Sequence, residues 1–111
     1  MGGYPRRIIS SMQNLLDSPD ADVRWWATRT LASLPSLNVG LLLPSLTDAA
    51  PEVRQCAALG LCSHPSEAAI QPLIRALSDS DSLVAELSAR ALTAVGEPAT
   101  ESLLKVLNDA P

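Results

Sequence analysis

The chain predicts an all-α solenoid of stacked helical hairpins, and two observations carry that prediction. First, one register recurs: a Leu, an Asp two residues on and a Val further along appear as Leu15/Asp17/Val23, Leu46/Asp48/Val53 and Leu77/Asp79/Val84, and begin again at Leu107/Asp109. The repeating unit is about thirty residues long, the signature of an array in which each unit buries its apolar face on its neighbours. Second, the apolar positions inside each unit fall at the three-and-four spacing of a helix, twice per unit, with a breaker between the two runs.

The first helix of each unit is read from Val23, Trp26, Ala27, Thr30, Leu31 and Leu34, then Val53, Cys56, Ala57, Gly60 and Leu61, then Val84, Leu87, Ser88, Ala91, Leu92 and Val95. Small residues at Ala27/Ala57/Ser88 and Thr30/Gly60/Ala91 mark where a neighbouring helix must come close. Breakers follow at Pro35-Ser36, His64-Pro65-Ser66 and Gly96-Glu97-Pro98, where proline presets a first turn and Gly96 suits a left-handed cap. A second helix is then read from Val39, Leu42, Leu43 and Leu46, from Ile70, Leu73, Ile74 and Leu77, and from Thr100, Leu103, Leu104 and Leu107. The same frame upstream gives Ile8, Met12 and Leu15, so residues 5–16 are expected as a lone second-type helix. The expected division is therefore one domain, 1–111, with units at 17–46, 47–77 and 78–108 and seven helices. The links between units, Asp17–Asp22, Asp48–Pro51 and Asp79–Ser82, supply acids and hydroxyls that can cap the helices that follow.

Composition narrows the chemistry. With 47% hydrophobic and 18% charged residues the chain has enough apolar material for a continuous core, and with Phe absent that core must be aliphatic. The net charge of −4 argues against a general nucleic-acid binder. Charge is also uneven, since residues 1–30 carry four arginines against three aspartates while 79–111 carry two basic against six acidic residues. Cys56 and Cys62 sit six apart in a helical pattern, roughly 9 Å between α-carbons, too far for a disulfide. Two free thiols, no signal-peptide pattern and no apolar run of membrane-spanning length give a cytoplasmic expectation with no membrane partner.

The runs Asp22-Val23-Arg24-Trp25-Trp26-Ala27, Glu52-Val53-Arg54-Gln55-Cys56-Ala57 and Leu83-Val84-Ala85-Glu86-Leu87-Ser88 resemble HEAT-like repeats of the short type first noted in phycobilisome lyase subunits. The resemblance covers roughly residues 5–109 and implies HEAT-like hairpins in a right-handed superhelical stack. In similar repeats the link Asp and the Arg after Val form a ladder between units; Asp17, Asp48, Arg24 and Arg54 match it, and Ala85 should interrupt it. The resemblance also implies that second helices line a concave side where partners dock. In that frame Gln13, Pro44, Arg75 and Lys105 form one column, with Ile9, Gly40, Gln71 and Glu101 beside it and Arg6 at the start of the face.

The expected function is accordingly a non-enzymatic protein-interaction module or scaffold. Its candidate partner-binding residues are Leu41 and Pro72 at the centre of the concave face, Gln71, Arg75, Glu101 and Lys105 as polar contacts, and Trp25 on the first-helix side. The competing reading of the concave residues is a solvated helix face. Trp26 aligns with Cys56 and Leu87 and is expected in the core. Trp25 aligns with Gln55 and Glu86 and is expected outward, where its local alternative is a cation–π contact with Arg29. The family likeness suggests one alternative function, a small subunit of a bilin lyase or chromophore-handling complex.

Other chemistry has little to stand on. One His and two Cys do not make a metal site, His64 reads as a turn or cap residue, and no phosphate loop or nucleophile elbow occurs. No catalytic, metal or cofactor residues are expected. The basic start, the acidic finish and the likeness of Asn108–Pro111 to the link Asp48–Pro51 raise head-to-tail self-association or a longer array. The register makes one quantitative prediction: Leu73→Ala or Leu61→Ala costs roughly 2–5 kcal/mol, while Arg75→Ala costs little, measured by chemical denaturation.

Overall fold

The computed structural model describes residues 6–109. Pro5, expected to open the first helix, lies outside the described residues, as does the side chain of Arg6. Six α-helices follow in order: α1 (Arg6–Leu16), α2 (Ala21–Ala32), α3 (Pro51–Ser63), α4 (Ile70–Ala76), α5 (Ser82–Val95) and α6 (Glu97–Asp109). Helices α2, α3 and α5 are the first helices of the three units and stack side by side, with α3 between the other two. Helices α1, α4 and α6 occupy the second-helix layer, giving a slab of 45 × 34 × 17 Å.

Sequence explains how each first helix begins. Asp20 caps α2 by accepting the Asp22 N–H at 2.9 Å, and Asp81 caps α5 by accepting the Val84 N–H at 3.0 Å. At α3 the cap position is Ala50, and Pro51 starts the helix with its ring-fixed φ. Gly96 ends α5 at φ 90°, the positive-φ conformation its position in the breaker foretold.

The second-helix layer departs from expectation in the first unit. Residues expected as one α-helix form two short 3-10 segments, Val39–Leu41 and Leu43–Thr47. Pro44 has no N–H to donate and its ring opposes the carbonyl four residues back, so the tighter i→i+3 pattern takes over. Leu42 and Leu46 still reach the core, at 0% and 4% exposure. In the second unit a 3-10 turn, Glu67–Ala69, precedes α4, where Pro72 is tolerated in the first turn.

The core is aliphatic, as composition required. Leu31, Leu42, Leu61, Leu73, Val53 and Val84 are each essentially inaccessible. Ser88 is also fully buried, in line with Ala27 and Ala57, and its Oγ finds no hydrogen-bond partner among the described residues. Its small size, not its polarity, suits the position. Thr28 is a buried residue the sequence pattern missed; its hydroxyl donates to the Arg24 carbonyl at 2.8 Å.

Several expected core positions are not core. Thr100 is exposed, and Ala99 at 1% takes its place in α6; Leu104 and Leu107 are 55% and 69% exposed, because no described element follows α6. Thr30 is exposed rather than tucked under a neighbour. In α1 the inward residues are Met12 and Leu16, with Ile8 and Leu15 exposed at 48% and 41%. Counted back from the Val of each first helix, Leu16, Leu46 and Leu77 all stand seven residues before Val23, Val53 and Val84. Leu16, not Leu15, is the counterpart of Leu46 and Leu77.

Gly60 shows how tight the stack is. A Cβ there would lie 2.7 Å from the Ala32 Cβ and 3.0 Å from a methyl of Leu42. Gly60→Ala therefore destabilises by about 1–3 kcal/mol despite a gain of about 1 kcal/mol in helix propensity. Urea denaturation checks this, and adding Ala32→Gly recovers part of the loss because the two sites share one contact.

Candidate functional site

The units are joined by a charged ladder at the bases of the grooves in the second-helix layer. Arg24 Nε donates to Asp48 Oδ2 at 2.9 Å and Nη2 to Oδ1 at 3.1 Å, while Nη1 donates to the Ser18 carbonyl at 2.9 Å. One unit on, Arg54 repeats the pattern with Asp79 at 2.9 and 3.0 Å and with the Asp48 carbonyl at 2.8 Å. Each Asp also accepts a backbone N–H from the cap position of the next first helix, Ala50 at 2.9 Å and Asp81 at 2.8 Å. Such two-point pairing fixes orientation as well as distance.

Asp17 was expected in this ladder and is not in it. Ser18 holds the equivalent position: its carbonyl receives Arg24 and its Oγ accepts the Asp20 N–H at 3.1 Å. Ser18 stands five residues before Val23, as Asp48 and Asp79 stand before Val53 and Val84, so Asp17 lies one residue away from the ladder position. At the other end Ala85 leaves α5 without a guanidinium for the ladder, as expected. Gln55 to Asp81 at 3.3 Å and the Cys62 thiol to the Leu87 carbonyl at 3.4 Å add polar contacts between α3 and α5.

Burial pushes the Asp48 carboxyl up, but the hydrogen bonds from Arg24 and the Ala50 N–H and the charges of Arg24 and Arg54 outweigh it and leave it below the ordinary carboxylate value. Asp79 follows the same balance with Arg54 and the Asp81 N–H. Burial also raises both thiols, Cys56 and Cys62, so neither is an activated nucleophile. His64 closes α3, and its Nε2 donates to the Ala32 carbonyl at 2.9 Å, tying the turn to the preceding unit.

Between these rungs and the second-helix layer run two successive grooves. The larger, about 480 Å³, has Leu43, Leu46 and Pro72 on its apolar side, the paired Asp48, Arg54 and Asp79 at its base, and Arg75 at its rim. The smaller, about 300 Å³, repeats the plan one unit earlier with Gly40, Leu41 and Pro44 in the corresponding places and Asp17 at its edge. Arg75 is exposed and makes no ion pair among the described residues.

The expected concave-face residues share one layer. Gln71, Arg75, Glu101 and Lys105 are exposed, and Leu41 and Pro72 are half-buried in the groove walls. With the corrected α1 register, Asn14 rather than Gln13 heads the column of Pro44, Arg75 and Lys105. Trp25 is not on this layer. It is half-buried beside Ala50 and Val53 of the next unit, with the Arg29 guanidinium 5.6 Å from its ring centroid. Trp26, expected in the core, is 62% exposed and meets Trp25 edge to face at 4.8 Å.

The two tryptophans exchange roles for a geometric reason. Position 25 faces the following first helix, as Gln55 does toward Asp81; position 26 shares a face with position 30, whose counterpart Gly60 lies against Ala32 of the preceding unit. Helix α2 has a following helix in α3, and among the described residues no first helix precedes it. Aligning repeats shows which positions correspond, and the neighbours decide which are covered.

The family model for HEAT repeats matches residues 39–111. The chain belongs to the HEAT-repeat family. No curated protein matches it. HEAT repeats generally serve as protein-interaction scaffolds, and the open grooves and laddered hairpins described above are the form such a scaffold takes. Among the described residues no three His, Cys, Asp or Glu side chains are grouped to hold a metal ion, and no helix is long and apolar enough to cross a membrane.

The ladder acids set an acid dependence for this HEAT array. Because both carboxyls titrate below their ordinary value, the stability they contribute is complete above the unfolded-chain value of about 3.9 and is lost as pH falls through the lowered folded-state values. Asp48→Asn with Asp79→Asn is expected to lower stability at pH 7 and to flatten the loss below pH ~4, measured by urea midpoints across pH.

Proposed function

We propose that this chain is a HEAT scaffold that holds a partner protein on its second-helix layer, in the groove between the 3-10 segment Leu43–Thr47 and α4. The carrying observation is Arg75, a solvent-exposed cation with no counter-ion among the described residues, at the rim of a partly apolar groove whose remaining charges are already paired. A partner segment with an apolar side chain would set it against Leu43 and Pro72 and present a carboxylate to Arg75. An exposed guanidinium costs little desolvation to pair with a carboxylate and offers two parallel donors.

Leu41 and Gln71 border the same surface, and Glu101 and Lys105 extend it over α6, so a segment crossing the units would meet alternating apolar and polar contacts. The units 17–46, 47–77 and 78–108 act together in this reading, each contributing one strip of the face. The partner is a protein rather than a nucleic acid, since a phosphate backbone would need a basic face and the chain is acidic overall.

Selection of a random peptide library on the immobilised chain tests the proposal. Enriched peptides are expected to pair Asp or Glu with a large apolar residue and to bind Arg75→Glu at least about tenfold more weakly. Peptides without acidic residues, or equal binding to both proteins, would reject it.

A further inference from the structure

The two grooves of the second-helix layer share one plan, and their unpaired charges are opposite. Leu46 and Thr47 line one wall of the larger groove, with Pro72 and Arg75 on the other. Leu16 and Asp17, with Leu41 and Pro44, hold the same places in the smaller, in the same register against the Val of each following first helix. The grooves adjoin, since Asp48 lines both. At their bases Asp48 and Asp79 are engaged by Arg24 and Arg54. That leaves Arg75 in the larger groove and Asp17 in the smaller, both exposed and neither in an ion pair among the described residues. Asp17 owes its exposure to its position and not to the place of α1 in the stack: its counterparts Thr47 and Ser78 are exposed too, although second-layer elements stand both before and after them.

Spacing decides what can lie across both grooves. Neighbouring elements of a helical stack lie about 8–10 Å apart. Asp17, on the outer wall of one groove, and Arg75, on the outer wall of the next, therefore stand two spacings apart, roughly 16–20 Å. An α-helix, about 10–12 Å across, would bridge the rims without entering either groove. A β-strand repeats its same-facing side chains every ~6.6 Å and falls out of step with the grooves. A polyproline-type chain has three residues per turn and rises about 3.1 Å per residue, so same-facing side chains recur every ~9 Å, once per groove, and six residues cover ~19 Å.

We propose that the two grooves together take one extended, polyproline-type segment of a partner protein, with a basic residue at Asp17, an apolar residue in each groove and an acidic residue at Arg75, about six residues from one charge to the other. The inference rests on the reading of the Arg75 groove and adds the second groove, the opposite charge and the spacing. The opposed charges also fix the direction in which the segment lies, because reversing it sets like charges together at both ends.

Synthetic peptides of neutral net charge test it, each with one Lys, one Glu and otherwise Leu and Pro, the Lys–Glu separation stepped residue by residue in both orders. Affinity for the full chain, measured by titration calorimetry, is expected to peak at a separation of about six residues and to fall about tenfold when the order of the two charges is reversed. Asp17→Lys and Arg75→Glu should each weaken the best peptide about tenfold, and the double variant Asp17→Lys/Arg75→Glu should bind the reversed order best. Both side chains are exposed and unbonded among the described residues, so the variants keep the fold, which unchanged melting curves verify. No binding at millimolar peptide, affinity indifferent to separation or order, or indifference to Asp17→Lys overturns the inference. If Arg75→Glu still weakens binding where Asp17→Lys does not, the single-groove reading survives; if neither has an effect, both fall.

Discussion

The separation between neighbouring first helices governs the rest of the molecule. At Gly60 the backbone of α3 comes so near to Ala32 and Leu42 that even a methyl group would collide, and the fully buried Ala57, Ala58, Ala91 and Ser88 continue the same close stack. Close packing of small aliphatic side chains gains dispersion contacts without aromatic bulk, which is how a chain without Phe builds a core. The ladder depends on that spacing as well. Arg24 spans to Asp48 with both guanidinium edges engaged only because the next link is brought alongside by the helices above it.

Packing and ladder do different work. A salt bridge near a protein surface contributes little by itself, and desolvating both charges costs energy that pairing only offsets. What the Arg24–Asp48 and Arg54–Asp79 rungs supply is orientation, since each carboxylate is held by a guanidinium and a backbone N–H together. Ala85 sends no rung forward from the third unit, which is itself held to the second by the Arg54–Asp79 rung, by Gln55 to Asp81 and by the buried α3/α5 contact. Both junctions between the units therefore carry burial and charge together. The His64 bond to the Ala32 carbonyl reinforces the first junction through the turn instead of the link.

The repeat, the hairpins, the Gly96 cap, the interrupted ladder and the outward side of the second-helix layer were all legible in the sequence, because helical period and unit length are encoded locally. What escaped was relational. The Leu15/Asp17 pair imitates the later Leu/Asp pairs but stands one residue too far from Val23, and the apolar pattern did not correct it, because Ile8/Leu15 and Met12/Leu16 both read as helical stripes. Pro44 was visible, but its conversion of a whole helix into 3-10 turns depends on how Leu42 and Leu46 reach the core. Trp25 and Trp26 were exchanged because alignment of units treats every unit as interior. The family match supports the HEAT reading of the resemblance and adds nothing for a lyase.

The same constraint explains why scaffold and specificity separate in this fold. Each groove is built from a rung, a second-type element and its predecessor, so the geometry repeats whatever residue stands at the rim. At that rim the chain places Pro44 in one groove, Arg75 in the next and Lys105 one unit further, three different chemistries on one framework. Arg75 and Lys105 are exposed and take no part in packing, so neither is dictated by the fold, whereas Pro44 also sets the 3-10 turn it stands in. Exposed positions free of structural duty are where a partner's chemistry can be matched without disturbing the stack. Trp26 is the contrary case: its counterparts Cys56 and Leu87 are buried, so its 62% exposure reflects its place in the described stack and not a choice of residue free of the unit geometry.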